Sequence, residues 1–281
     1  MQGKTVVITG ATSGIGEVAA DRLAQKGARI VFIARDRARG QETLKHLHAI
    51  AGHDNHAVHY ADLSTLAEMK RVAQAIAESE PRIDVLINNA GAMFTHRETT
   101  ADGLEKTFAV NHMAYFTVTS VLLGKLKANP EGARIVSTAS DAHKGAHLDF
   151  GDLQSQTRYS GFGVYGESKL CNILFNRELA RRLAGTKVTA NCLHPGFVGT
   201  RFGDAAGGLM SLAIRLAKNF ALSPEQGAQT IIYLAASPEV EGRSGGYYYK
   251  CRQATPTKEA QNDADARRLW DVSAGIAGLG A

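Results

Sequence analysis

Cysteine is scarce in this chain. Cys171, Cys192 and Cys251 are the only three among 281 residues and show no CxxC spacing, so no disulfide framework is expected and the thiols read as reduced packing residues. Long apolar runs are lacking as well: nowhere do about 18 apolar residues follow one another, which excludes a spanning helix. No charged leader precedes the first apolar run in MQGKTVVITG, so neither a signal peptide nor an integral membrane anchor is expected, and the protein is expected to be cytoplasmic. A dense patch of one charge is also missing. The net charge of +5 is spread along the chain apart from Arg35, Arg37 and Arg39, which argues against a nucleic-acid partner. Histidines 46, 48, 53, 56 and 59 lie close in sequence, but no carboxylate or cysteine completes a ligand set; they read as solvated, and no metal is expected.

What is present is ordinary globular material, 44% hydrophobic and 21% charged, enough to bury a core without staples and consistent with one domain over 1–281. Short β-branched runs alternate with helical periodicity. The runs are TVVIT (5–9), IVFIA (30–34), AVHYAD (57–62), IDVLIN (83–88), RIVSTA (134–139), KVTANCLH (187–194) and GGYYYK (245–250). Segments such as GEVAADRLAQKG and STLAEMKRVAQAIAES between them repeat apolar residues at three- and four-residue steps. This alternation predicts an α/β fold, a doubly wound seven-stranded parallel sheet with helices on both faces. Gly27 reads as a helix stop, and Ser64 and Ser223 as N-caps, the latter with Pro224 and Gln226 behind it. Three irregular stretches, 91–100, 140–161 and 195–208, follow later strands and are expected around a ligand at the carboxyl edge of the sheet. His143 and His147 lie in the second of these and are candidates for substrate contact. The amphipathic segment 209–220 reads as part of a substrate-side lid over 195–222, with a membrane-contacting helix and core packing as the alternatives, and 256–281 is expected to form a helical tail.

Thr9-Gly10-Ala11-Thr12-Ser13-Gly14-Ile15-Gly16 joins the first strand to the first helix. Its glycines permit a tight turn and close backbone approach, and the helix N-terminus beyond offers free N–H groups to a pyrophosphate. At the end of the second strand, where an acid would hold ribose hydroxyls, Ala34 stands before Arg35, a cation suited to a 2′-phosphate. Asp36 next to it is the competing acid. NADP(H) is therefore the expected cofactor, with NAD(H) the alternative. Tyr165 and Lys169 are four apart in a helical stretch, 163–184, and so share a face. An ammonium about 5 Å from the phenol would favour the phenolate by on the order of 3 kcal/mol, or about two pKa units, making the tyrosine a general acid or base. Ser140 ends the preceding strand, within reach of a reacting oxygen; Asn88-Asn89-Ala90-Gly91 ends the fourth strand, beside a nucleotide; and Asn111 lies in a long helix.

These elements, with Pro195-Gly196, resemble the short-chain dehydrogenases/reductases over essentially the full length. TTADGLEKTFAVNHMAYF, RIVSTASDAH, ESKLCNILFNRELARRL and ARRLWDVS are similar to the retinol-dehydrogenase-like branch, including its WW-domain oxidoreductase relatives. The resemblance implies a single-domain Rossmann-type sheet in the order 3-2-1-4-5-6-7 and a catalytic tetrad of Asn111, Ser140, Tyr165 and Lys169. In it Tyr165 exchanges the proton, Ser140 orients the carbonyl, Lys169 also holds the nicotinamide ribose, and Asn111 anchors a water of the proton relay. The cofactor set it implies is Gly10, Thr12, Ser13, Gly14, Ile15, Gly16, Arg35, Asp62, Leu63, Asn89, Ala90, Gly91, Tyr165, Lys169, Pro195, Gly196, Val198 and Thr200. Its expected partners are a small carbonyl or alcohol substrate and a second copy of the chain, as a homodimer or homotetramer through the helices carrying Asn111 and Tyr165. The rival reading is a nucleotide-sensing protein of the same fold without catalysis, which would be expected to have lost the tyrosine or the lysine.

Overall fold

The computed structural model describes residues 1–198 and 222–279; Thr200 and the proposed lid segment 209–220 lie outside them. Strand β1 (Thr5–Thr9) is buried throughout, and its alternate side chains serve two different cores. Val6 and Ile8 join the cluster that also holds Leu23, Ile30, Phe32 and Ile231. Val7 joins the other, with Val31, Leu86, Met69 and Ile135. The period-two pattern of a strand buried on both faces is thereby turned into a three-layer sandwich.

The strands β2 (Arg29–Ala34), β3 (Ala57–Tyr60), β4 (Val85–Asn88), β5 (Ala133–Thr138), β6 (Val188–Leu193), β7 (Tyr247–Tyr249) and β8 (Arg252–Ala254) complete one sheet in the order 3-2-1-4-5-6-7-8. The first seven are parallel and follow the expected order. The eighth was not expected, and it runs antiparallel to β7. A two-residue turn makes it: Lys250 and Cys251 both take positive φ, 48° and 59°, the geometry that matches the twist of a tight hairpin.

Helices α1 (Gly14–Gln25) and α2 (Arg37–Ala51), together with α7 (Pro224–Ala236), accompany the first core. The other is covered by α3 (Leu66–Ser79), α5 (Ala114–Lys127), α6 (Gly161–Arg182) and α8 (Asp263–Ala277), and the short α4 (Lys106–Phe108) leads into α5. Gly27 ends α1 with φ 85°, and Ser223 heads α7 in a full capping box with Gln226. Ser64 is not a cap. Thr65 precedes α3, and the Ser64 N–H is bonded to Asp62 Oδ1 at 3.0 Å, because the Asp62 carboxylate has turned the chain one residue earlier. His56 is not solvated either. It is 6% exposed and its Nδ1 accepts from the Ile30 N–H at 2.9 Å, while burial pushes its pKa down to about 4.

The C-terminal tail changes the picture of self-association. Residues 111–119 and 168–176 are buried without a break, so the N-terminal half of α5 and the middle of α6 have no open face. Trp270 of α8 lies flat against Phe175 at 5.8 Å and edge-on to Phe116 at 5.0 Å, with the Arg182 guanidinium 4.5 Å over its ring. Parts of the helices carrying Asn111 and Tyr165 are thus covered by the chain's own tail. Among the described residues no helix is long and apolar enough to cross a membrane.

Candidate active site

The glycine-rich turn is shaped first by what it must touch inside the protein. A Cβ on Gly16 would lie 2.2 Å from the Gly10 carbonyl oxygen and 2.3 Å from Asn89 Nδ2, and one on Gly10 would meet Ala90 Cα at 2.9 Å. Asn89 staples this crossing: its Nδ2 donates to the Thr9 and Gly10 carbonyls, both at 3.2 Å. Thr9 Oγ1 returns the link by accepting from the backbone N–H groups of Asn89 and Ala90 at 2.9 and 3.0 Å. The side chain of Asn89 therefore holds the turn, and Thr9 is a partner that sequence reasoning passed over. Gly16→Ala should lower stability by about 1–3 kcal/mol through overpacking, read as a fall of about 2–10 °C in the melting temperature of a chain this long. Gly124 has open space around its Cβ position and sits within α5, so Gly124→Ala should leave the melting temperature unchanged or raise it. Equal behaviour of the two variants in thermal unfolding would contradict the crossing.

The same turn leaves room for an anion. Ser13 precedes α1 in an extended conformation and makes no side-chain cap bond, so the first amides of the helix are not capped by it. Gly14 takes φ 63°, a region that costs glycine nothing. Ile15 and Val198 both converge on Gly227, where a Cβ would meet their methyl carbons at 2.8 and 2.6 Å. The turn, the end of β6 and α7 thus form one rim. Gly196 has φ 87° and abuts Leu222. Leu63 is buried and Asp62 exposed.

At the end of β2, Ala34 is buried and Arg35 exposed. Asp36 is not a free carboxylate, since it caps α2 by accepting from the Arg39 N–H at 2.9 Å. Arg37 lies on the ring of Tyr60 at 4.8 Å. A cavity of about 350 Å³ opens between the first turns of α1 and α2, lined by Thr12, Glu17, Arg39, Glu42, Thr43 and His46. It brings a second cation, Arg39, to the side of the glycine turn.

The four tetrad positions come together at the carboxyl edge of β4 and β5. Asn111 lies in a turn of π-helix, Ala109–Met113, between α4 and α5. Such a wide turn is a common site feature and invisible to a 3.6-residue pattern. Its Oδ1 accepts from the Ala92 N–H at 2.8 Å, and its Nδ2 donates to the Ala92 carbonyl and to Ser168 Oγ, both at 2.9 Å. Gly91 fits against the same group: a Cβ there would stand 3.3 Å from both Asn111 Oδ1 and Lys169 Nζ. Lys169 donates to the Thr138 carbonyl at 3.2 Å, and its ammonium is 5.5 Å from the centre of the Tyr165 ring. The Tyr165 hydroxyl is hydrogen-bonded to Ser140, whose Oγ also accepts from the Ala142 N–H at 3.2 Å.

One expectation fails. The lysine was expected to pull the tyrosine below its ordinary pKa, but burial decides for both groups: it pushes Tyr165 up to about 12, against a smaller lowering by Ser140, and Lys169 down to about 7. A desolvated ammonium that close to losing its own proton gives the phenolate little help. Cys171 is buried and its thiol pushed up by burial, as packing requires. His143 does not face a substrate. It is fully buried, with Nδ1 on the Ser140 carbonyl at 2.7 Å and Nε2 accepting from the Thr257 N–H at 3.4 Å. His147 is exposed, 3.9 Å from Glu259. Among the described residues no group of histidine, cysteine and carboxylate side chains could hold a metal.

The chain is similar to known proteins in sequence and in fold. The family model described as short chain dehydrogenase matches residues 4–207. Retinol dehydrogenase 14 of Homo sapiens is 42% identical, an alignment that takes in 99% of this chain and 88% of that protein. A crystal structure of an uncharacterised protein from Mycobacterium paratuberculosis superposes with a TM-score of 0.78 at 29% identity, over 99% of this chain and 94% of the other. A short chain dehydrogenase from Burkholderia cenocepacia, solved in complex with NADP, does so with a TM-score of 0.69 at 26% identity, over 88% and 95%.

Proposed function

The chain belongs to the short-chain dehydrogenase family, and on that premise we propose that it is an NADP(H)-dependent oxidoreductase interconverting a carbonyl and an alcohol on a small lipophilic substrate. The observation that carries the proposal is the Tyr165 hydroxyl bonded to Ser140 with Lys169 one helical turn away. A nucleotide sensor has no use for that cluster. A nicotinamide dinucleotide, when bound, supplies or removes the hydride at the substrate carbon. Gly14, Ile15 and the uncapped start of α1 would hold its pyrophosphate, Arg35 its 2′-phosphate, and Lys169 with the Ala90-Gly91 backbone its nicotinamide half.

The remaining chemistry falls to side chains of the protein. In reduction, Tyr165 gives the proton of its hydroxyl to the carbonyl oxygen as that oxygen takes the electron pair of the breaking π bond. Ser140 donates a hydrogen bond to the same oxygen and holds it facing Tyr165. The proton that Tyr165 gives up is restored to its hydroxyl from solvent before the next turnover. Oxidation runs the same steps backwards.

The raised pKa of Tyr165 gives the two directions opposite pH dependence. The acid form needed for reduction persists through neutral pH, whereas the basic form needed for oxidation becomes more abundant as pH rises. The rate constant for alcohol oxidation should therefore climb between about pH 6 and pH 9, and that for carbonyl reduction should not. An oxidation rate that falls over this range would remove Tyr165 from the role.

Support for a lipophilic substrate comes from the rim. Among the described residues the two exposed large hydrophobic side chains are Phe162, 63% exposed and three residues before Tyr165, and Phe197, 56% exposed and next to Gly196. The reading is tested by following NADPH and NADH oxidation with a panel of apolar and charged aldehydes and ketones. Apolar carbonyls should be reduced; turnover confined to charged metabolites would overturn the substrate class.

A further inference from the structure

The family model ends at residue 207, yet the elements that carry Ser140 and Asn111 are both tied to residues beyond it. On one side stands the loop that carries Ser140. Its carbonyl receives two bonds from His143, one from the backbone N–H at 3.2 Å and one from ring Nδ1 at 2.7 Å. A carbonyl can only accept, so Nδ1 carries the proton, and Nε2 is left bare to accept from the Thr257 N–H at 3.4 Å. This fixes the neutral tautomer of a ring that is fully buried. The ring also meets Tyr247 of β7 edge-on at 5.4 Å.

On the other side stands the π-turn that carries Asn111. His112, next to it and fully buried, has Nε2 2.8 Å from Ser273 Oγ of α8. Helix α8 is itself anchored by the Trp270 stack, by Asn262 capping its first turn through the N–H groups of Ala264 and Asp265, and by an Arg177–Asp263 ion pair at 2.5 Å. Leu269 and Ala277 are completely buried beside it.

We propose that His143 and His112, both buried against the segment from Thr257 to Ala277, position the active site, His143 holding the Ser140 loop through its Nδ1–H and His112 the Asn111 turn, so that both are positioning residues for the carbonyl–alcohol reaction. The inference rests on the reaction assigned above but not on its substrate. Neither ring reaches the reacting atoms. Each acts by fixing a neighbour that does, and a displacement of about 1 Å at such a neighbour costs up to about 100-fold in rate.

The test compares substitutions that keep or remove the proton donor at the place of Nδ1. His143→Asn retains a donor there, since its Nδ2 occupies nearly the same position, whereas His143→Gln and His143→Leu do not. The Gln and Leu variants should lose about 10- to 100-fold in kcat with NADPH affinity within about two-fold of the parent, and Asn should recover most of the loss. Should the Leu variant fail to fold, the Asn and Gln pair carries the comparison. Ser273→Ala should lower kcat by a smaller factor, again without change in NADPH affinity. Hydrogen exchange gives a readout that needs no turnover: exchange in 138–147 should rise in the Gln variant and return in Asn, and exchange in 106–116 should rise in Ser273→Ala. If exchange responds as stated while the parent protein reduces no carbonyl, the positioning role stands and the assigned reaction falls. If the parent is active and Gln and Asn are equally impaired, or neither is impaired, or NADPH affinity falls in step with kcat, the positioning role is overturned.

Discussion

Tyr165→Phe should reduce turnover by about 10² to 10⁴, the usual contribution of a positioned acid or base, while leaving nucleotide affinity close to that of the parent. The substitution removes one oxygen and keeps the ring, so the contact with Lys169, 5.5 Å from the ring centre, is largely kept. What disappears is the hydrogen bond to Ser140 and the proton that the substrate oxygen must receive. Because burial holds the phenol near 12, no water at neutral pH replaces it in kind. Steady-state kinetics with nucleotide binding measured separately checks the result. Near-parental turnover would mean that another group moves the proton.

NADPH should bind about 10- to 100-fold more tightly than NADH, and Arg35→Ala should remove most of the difference. Asp36, the acid that could have held ribose hydroxyls, is engaged with the Arg39 N–H as the cap of α2. Ala34 is buried and lies close to Gly40, where an added Cβ would stand 3.2 Å from the Ala34 Cβ. Removal of the cation alone is therefore the cleaner variant. The contact is electrostatic and exposed, so the preference should shrink as salt rises. Equal affinity for the two nucleotides at low salt, by titration of the parent protein, would defeat this reading.

Much of the fold was legible because its parallel strands are buried on both faces and therefore spell themselves as β-branched runs. The eighth strand was not, since Arg252-Gln253-Ala254 has no apolar alternation and its turn uses Lys250 and Cys251 at positive φ in place of the usual Asn-Gly. The tetrad was legible through spacing, and the structure brings all four members together. Its electrostatics were not. A charge–charge estimate at fixed distance cannot know that both Tyr165 and Lys169 are desolvated, and desolvation reverses the expected direction. His143 was misread for a related reason: in a polar loop sequence nothing signals that a histidine turns inward, and its partner Thr257 lies 114 residues away. Nor could the sequence place Trp270, whose packing on Phe116 and Phe175 covers part of α5 and α6 from within the same chain.

The most direct measurement is hydride transfer itself. With NADPH deuterated at either position of the nicotinamide C4 and an apolar aldehyde, the alcohol formed should carry one deuterium on the carbinol carbon from one of the two labels and none from the other. An alcohol without deuterium from either label, or no alcohol at all across the panel of apolar carbonyls, would contradict the account.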